Sequence, residues 1–373
     1  MTPLHGLKVV ELARILAGPW IGQSLADLGA EVIKVEAPQG DDTRGWGPPF
    51  IERDGDRTAA YFYAANRGKQ SVVADFRTPE GQQQVRDLIA DADILIENFK
   101  LGGLKKYGLD YESLEELNPR LIYCSITGFG QDGPYASRAG YDFLIQGMSG
   151  LMSITGEPDR QPQKVGVAVT DIITGLYGTI GILAAVEQRH RTGRGQHIDM
   201  SLLDCATAML ANQAMNYLAT GTSPQRKGND HPNISPYQAL PTADGHIILA
   251  VGNDGQFQRF CGVIDRTDLA AHPDYATNPL RVQNRVALTA EIETSVSRWN
   301  SADLLAALEA ATVPAGPINS VGQAFEDPQI QARGLVITPE GVPGVRGPWR
   351  FSDAELALER SAPVLPSSPD PDT

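Results

Sequence analysis

Only three cysteines occur in the 373 residues, Cys124, Cys205 and Cys261, far apart and without CxxC spacing. A chain of this length needs no covalent staple, so they read as buried thiols in a reducing compartment rather than a disulfide framework or zinc site. Histidine is scarce as well: the six residues show no HExxH or paired spacing, which gives the expectation of no metal. Neither a P-loop nor a GxSxG elbow is present. The apolar runs are short, and the best of them, residues 179–186, falls far below the ~20 residues that span a bilayer. The amino terminus lacks a basic segment leading into an apolar one, so the expectation is a cytoplasmic chain without a membrane partner. A net charge of −14 argues against nucleic acid as a partner, because binding it requires clustered cations.

What is present describes a globular enzyme of two domains: 42% hydrophobic and 20% charged residues, in a chain longer than one core usually supports. KVVEL (residues 8–12) reads as a strand, followed by a helix that carries Gly18-Pro19 in its first turn and ends before Gly29. EVIKVE, SVVADF, ADILIENF and LIYCSITGF continue as strands, with helices near residue 78 and over residues 111–117. This alternation predicts an α/β domain with a mainly parallel sheet. Residues 171–191 and 202–218 read as apolar helices. The polar stretch over residues 221–233 marks a boundary. A strand near residues 245–251 and helices over 256–264, 281–299 and 302–310 predict a smaller α+β domain. The tail from Ser361, rich in Pro, Ser and Asp, is expected to be loosely ordered.

Two features compete for the chemistry. Gly128-Phe-Gly-Gln-Asp-Gly133 fits GxGxxG after a strand, but Pro134 follows at once and no acidic strand end lies about 20 residues on, so a glycine-rich turn is the better reading. Asp171, in GVAVTDIITGLYG, is a lone acid where a helix should start. Locally an N-cap accounts for it.

The segments LxGLKVVELARxLAGP, GAEVIKVEAPxGDDTRGWGPP, NRGKQSVVADFRTPEG, ENFKLGGLKKYGLDYESL, GYDFLIQGMSGLMSITG, VAVTDIITGLYG, RTGRGQHIDMSLLD, HPNISPYQA and VGNDGQF, in this order, resemble the class III CoA-transferases. The likeness runs from Leu4 to about Leu335. It implies an enzyme that moves coenzyme A from an acyl-CoA donor to a carboxylic acid, with the CoA thioester as substrate and no permanently bound cofactor. Asp171 falls on the family's nucleophile, which forms a mixed anhydride and then an aspartyl-CoA thioester, and a helix N-terminus would keep it ionised. Ile15, Leu16, Arg77, Asn98, Phe99, Lys106 and Tyr141 match CoA-binding positions. Trp46 and Tyr61 match the acyl pocket. Gly252, Asn253, Asp254, Gly255 and Gln256 occupy the place of a glycine-rich lid that keeps water from the anhydride.

The resemblance also implies a Rossmann-like large domain (residues 1–225, with 329–373 returning to it), a small α+β domain (226–328) and an interlocked homodimer. Leu16 and Ala37 replace a glutamine and an arginine of formyl-CoA transferase, so formyl or oxalyl substrates are not implied. The alternatives are the related α-methylacyl-CoA racemase, whose basic histidine is replaced by Tyr141 in Gly140-Tyr141-Asp142, and a non-catalytic CoA-binding protein. HPNISPYQAL and VGNDGQF look like the members that use dicarboxylates, with succinyl-CoA as the expected donor. Arg44, His231 and Asn233 are candidates to pair the second carboxylate.

Overall fold

The structure is a computed structural model and describes residues 1–366. It divides into two units, one of Met1–Leu151, Lys164–Thr222 and Gln329–Thr373, the other of Met152–Gln163 and Ser223–Pro328. Residues 152–163 thus leave the large domain to which their sequence had assigned them. The physical reason is local: the Arg226 guanidinium donates to the carbonyls of Glu157, Pro158 and Arg160, and Gly228 N–H donates to Gly156.

The first unit is organised by six strands, β1 (Lys8–Glu11), β2 (Glu31–Glu36), β3 (Gln70–Val73), β4 (Ile94–Glu97), β5 (Ile122–Thr127) and β6 (Gln196–Ser201). All pair in parallel, in the order β3-β2-β1-β4-β5-β6. Successive side chains alternate faces. Val9, Val32, Ile94, Ile96, Ile122 and Cys124 pack on one side with Ile21, Leu25, Ile182 and Val186, while Val10, Val35, Leu95 and Tyr123 pack on the other with Val85, Ile89 and Leu114. Covering both faces explains the apolar runs within β1, β4 and β5.

The longer helices of the first unit are α1 (Ala17–Asp27), α2 (Pro79–Ala90), α3 (Tyr111–Leu117), α4 (Asp142–Met148), α5 (Val169–Thr192), α6 (Leu202–Ala208) and α7 (Ala211–Thr220). Thr78 caps α2 by accepting from Gly81 N–H at 3.1 Å, with Pro79 in the first turn. One helix was expected over 202–218; it breaks into two where Ala211 takes a positive φ of 45°. Gly175 and Gly178 let α5 lie close on α1, since a Cβ there would strike Trp20 and Ile21. Contrary to the sequence expectation, α5 is long and apolar enough, by length and composition alone, to cross a membrane. The expectation failed because threonines and glycines break the apolar run without making the helix polar. In the fold Thr174, Gly175, Gly178, Ile182, Ala185 and Val186 are its buried stripe.

The second unit holds an antiparallel sheet of β7 (Tyr237–Pro241), β8 (His246–Ala250) and β9 (Ala315–Pro317), in the order β9-β8-β7. Only β8 was legible, because β7 ends in proline and β9 is the tripeptide Ala-Gly-Pro. Leu240, Ile247 and Leu249 pack against α8 (Asp254–Val263), α9 (Arg285–Val296) and α10 (Ser301–Ala310) through Phe257, Phe260, Leu288, Ile292, Leu304 and Leu308.

Back in the first unit, the carboxyl-terminal segment is not loose at Ser361. Ser361 and Ala362 are buried, Ser361 N–H donates to Glu340, and the carbonyls of Ala362 and Pro363 accept from Arg53 and Arg44. Residues 367–373 lie outside the described residues.

Candidate active site

A strand order of 3-2-1-4-5-6 reverses direction between β1 and β4, and in open parallel sheets such a reversal opens a crevice beyond the carboxyl ends of the strands. The structure has a cleft of about 620 Å³ at that place. Its wall is made at and beyond the carboxyl ends of the strands: Leu12 and Arg14 to Ala17 after β1, Ala37 and Gln39 after β2, Ala74 to Arg77 after β3, Asn98 to Leu101 after β4, and Thr127 with Gly128 at the end of β5. Gly128 and Gly140 touch backbone to backbone, where a side chain on either would collide. Thus the GxGxxG match is a turn, and it seats residues 140–142 beside the cleft.

Asp171 lies in the same cleft wall. It stands in the first turn of α5, behind Val169 and Thr170, rather than at the N-cap that its sequence suggested. Ala168 occupies the cap position, and Asp142 does the capping, accepting from Thr170 N at 2.9 Å and from Thr170 Oγ1 at 2.8 Å. The Asp171 side chain is therefore left facing the cleft. Burial, then the charge of Asp142, pushes its carboxyl up to about 7. This corrects the expectation of a fully ionised carboxylate: desolvation outweighs the helix dipole.

Every expected CoA-binding residue, Ile15, Leu16, Arg77, Asn98, Phe99, Lys106 and Tyr141, lines this cleft with Asp171. Their roles differ. The Arg77 guanidinium forks onto Asp75 at 2.8 and 2.7 Å and holds that carboxyl down to about 2. Lys106 Nζ lies 4.7 Å from the centre of the Tyr107 ring. Phe76 meets both Phe99 and Tyr107 edge to face, at 5.6 and 5.3 Å. Asn98 spends its amide on Arg14, accepting from its N–H at 2.9 Å and donating to its carbonyl at 2.7 Å. Tyr141, 67% exposed, stands at the N-cap of α4. Arg14, Lys100 and Arg138 also line the cleft and were missed by sequence reasoning. Arg14 and Lys100 adjoin the matched Ile15 and Phe99, which was the available signal. Arg138 sits in a loop without one.

Other candidates lie elsewhere. Trp46 and Tyr61 are not in the cleft wall but pair edge to face at 5.4 Å. Burial, then the charges of Asp171 and Asp142, raises the Tyr61 phenol. Arg44 is not free to meet a substrate: it is buried, forks onto Glu36 at 2.8 and 2.7 Å, and donates to the Pro363 carbonyl. In the second unit, Gly252 and Asn253 lead into Asp254, Gly255 and Gln256, which form the first turn of α8. This segment is a closed turn rather than a free glycine loop. Asn253 accepts from Gln256 N, Gln256 accepts from Gly252 N, and buried Arg281 grips Asp254 at 2.7 Å. His231 lies on Tyr237 and accepts from Asn233 N, and the Asn233 carbonyl accepts from Asn278. Both residues thus serve a local turn. Among the described residues no group of three or more His, Cys, Asp or Glu side chains could hold a metal.

Residues 4–367 match CoA-transferase family III. The chain is 60% identical to a succinate–glutarate CoA-transferase of Agrobacterium fabrum, over 97% of this chain and 93% of that one. It is 42% identical to a human succinyl-CoA:glutarate CoA-transferase, over 97% of this chain and 83% of that one. A crystal structure of a CAIB/BAIF family protein from Brucella suis superposes with a TM-score of 0.90 at 64% identity, covering 98% and 97% of the two chains. The chain belongs to CoA-transferase family III and is an enzyme that transfers coenzyme A.

Proposed function

We propose that the cleft takes succinyl-CoA, and that Asp171 is the carboxylate through which its coenzyme A passes to a second dicarboxylic acid. The observation that carries this reading is the presence of the half-buried Asp171 in the same cleft wall as Arg14, Arg77, Lys100 and Lys106. These cations suit the phosphates of CoA, and the Phe99, Phe76 and Tyr107 rings offer its base an apolar wall. The relatives' names supply the acid pair.

In the proposed sequence an Asp171 oxygen attacks the thioester carbonyl, the C–S bond breaks, and CoA leaves as thiolate from a mixed anhydride. The thiolate attacks the Asp171 carbonyl and expels succinate, leaving an aspartyl-CoA thioester. The acceptor carboxylate then attacks that carbonyl and displaces the thiolate, which takes the acceptor's acyl group and returns Asp171 as carboxylate. Covalent steps divide the barrier. A carboxyl raised to about 7 is a stronger nucleophile than an ordinary one once deprotonated. Asp142 supports it twice, by capping α5 and by repelling its charge.

The proposal includes a homodimer in the cytoplasm. It is supported by exposed apolar side chains in the first unit, Phe143, Ile180, Met215 and Leu218 among them, and by three unpaired cysteines. The test mixes enzyme with succinyl-CoA, adds borohydride, and maps the mass change. A reduced residue is expected at Asp171, and modification elsewhere overturns the assignment. Succinyl-CoA should exceed butyryl-CoA at least about tenfold in kcat/KM with glutarate as acceptor, because a site built for the distal charge leaves its partner unpaired with butyryl. Equal rates would refute the dicarboxylate reading alone.

A further inference from the structure

The loop from β1 to α1 forms one side of the cleft, and it contains a strained residue. Ile15 has a φ of 73°, a left-handed conformation that a β-branched side chain disfavours. It lines the cleft next to Leu16 and Ala17. Such a conformation persists only where its surroundings impose it.

Those surroundings are four buried charges. Lys34 donates to Glu11 at 3.0 Å and pairs with Asp41 at 3.0 Å, while Lys69 pairs with Glu11 at 2.8 Å. All four side chains are at most 1% exposed. Two of them also reach the loop backbone, and a third reaches the first turn of α1. Lys34 donates to the Ala13 carbonyl at 2.8 Å, Lys69 donates to the Pro19 carbonyl at 2.9 Å, and Asp41 accepts from Ile15 N–H at 3.3 Å. Asp41 is fixed in turn by Thr43, whose N–H and hydroxyl both donate to it, and by Glu36, which accepts its own N–H. Burial opposes the ionised form of Asp41, but the Lys34 charge and the Thr43 hydrogen bonds outweigh it and hold the carboxyl below its usual range. For stability alone, packed apolar groups often serve as well as buried ion pairs. What only polar groups can do here is hold backbone N–H and C=O groups at fixed places.

We infer that Asp41 is a positioning residue of the transfer reaction: anchored by Lys34, it pins Ile15 in the left-handed shape that gives this side of the cleft its form for the acyl-CoA. The inference rests on the reading of the cleft as the acyl-CoA site. The carboxylate does not touch the reacting atoms, so its loss should weaken substrate binding more than turnover.

The experiment compares wild type, Asp41→Asn, Ile15→Gly and the double variant for kcat and KM with succinyl-CoA, and for CoA binding by calorimetry. Asp41→Asn is expected to raise KM about tenfold while kcat stays within about threefold. Glycine takes the left-handed conformation without a clamp, so in the Ile15→Gly background the same change should alter KM by less than about twofold. An unchanged KM in folded Asp41→Asn, or an equal loss in both backgrounds, overturns the inference. If Asp41→Asn does not fold, Asp41→Glu, which keeps the charge for Lys34 but displaces the carboxylate from Ile15, is put through the same comparison and judged by the same outcomes. A wild-type enzyme that neither binds CoA nor transfers it would instead overturn the reading of the cleft.

Discussion

Replacing Asp171 by asparagine should abolish transfer and, above neutral pH, make the protein more stable. The carboxyl is raised from 3.8 to about 7, first by burial and then by Asp142. Between these values the folded chain holds a proton that the unfolded chain has released, so folding costs more free energy as pH rises, and the cost levels off above pH 7. A rise of about three units corresponds to about 4 kcal/mol in a dry site. Water in the open cleft screens part of this, which leaves about 1 to 2 kcal/mol at pH 8. Asparagine has nearly the same shape and never ionises, so it removes the cost without emptying the site. The assay is the guanidinium midpoint of wild type and Asp171→Asn at pH 5 and pH 8. The advantage of the variant should grow by about 1 kcal/mol between the two. A difference that does not change with pH, or one that favours wild type more at pH 8, would refute the electrostatic reasoning.

Two further outcomes follow from the same geometry. Asp142→Asn can still accept from Thr170 but no longer repels the Asp171 charge, so the acidic limb of kcat/KM should move to lower pH; a limb that stays in place would show that burial alone sets it. Arg77→Ala and Lys106→Ala should each raise KM for a CoA thioester about tenfold and leave a pantetheine thioester, which lacks the nucleotide phosphates, unchanged. An equal loss with both substrates would remove these cations from the phosphate site.

Five of the six strands of the large sheet were legible because they are rich in apolar residues and the helices between them carry their own punctuation, as Thr78-Pro79 and Gly29 show; the edge strand β6, only partly buried, was not read. The second unit was less legible. Strands such as Ala315–Pro317 are specified by their neighbours and not by propensity. Within the site, Asp171 could be singled out as a lone acid, but its surroundings could not. Asp142, whose charge adds to burial in raising it, lies 29 positions earlier in sequence and is held near it by its hydrogen bonds from Thr170. Likewise Arg44 looked available for a carboxylate, since nothing in the string shows that Glu36 already holds it.

The buried cluster is the extreme case of that limit. In EVIKVE three charged residues stand among apolar ones, and such residues are normally found in water. Here Lys34 and Glu36 are buried and the strand's first residue, Glu31, is exposed. The difference arises at the carboxyl ends of the strands, where the sheet's reversal of order opens the crevice and loop backbone crosses above it. Ile96 of β4 takes the N–H groups of Leu12 and Ala13, and beyond them the side chains of Lys34 and Asp41 satisfy the Ala13 carbonyl and the Ile15 N–H. Lysine and aspartate can do this only when they neutralise one another, which is why they occur as a balanced set around Glu11. The crevice that receives the substrate and the ionic cluster beneath it are therefore two consequences of one strand order.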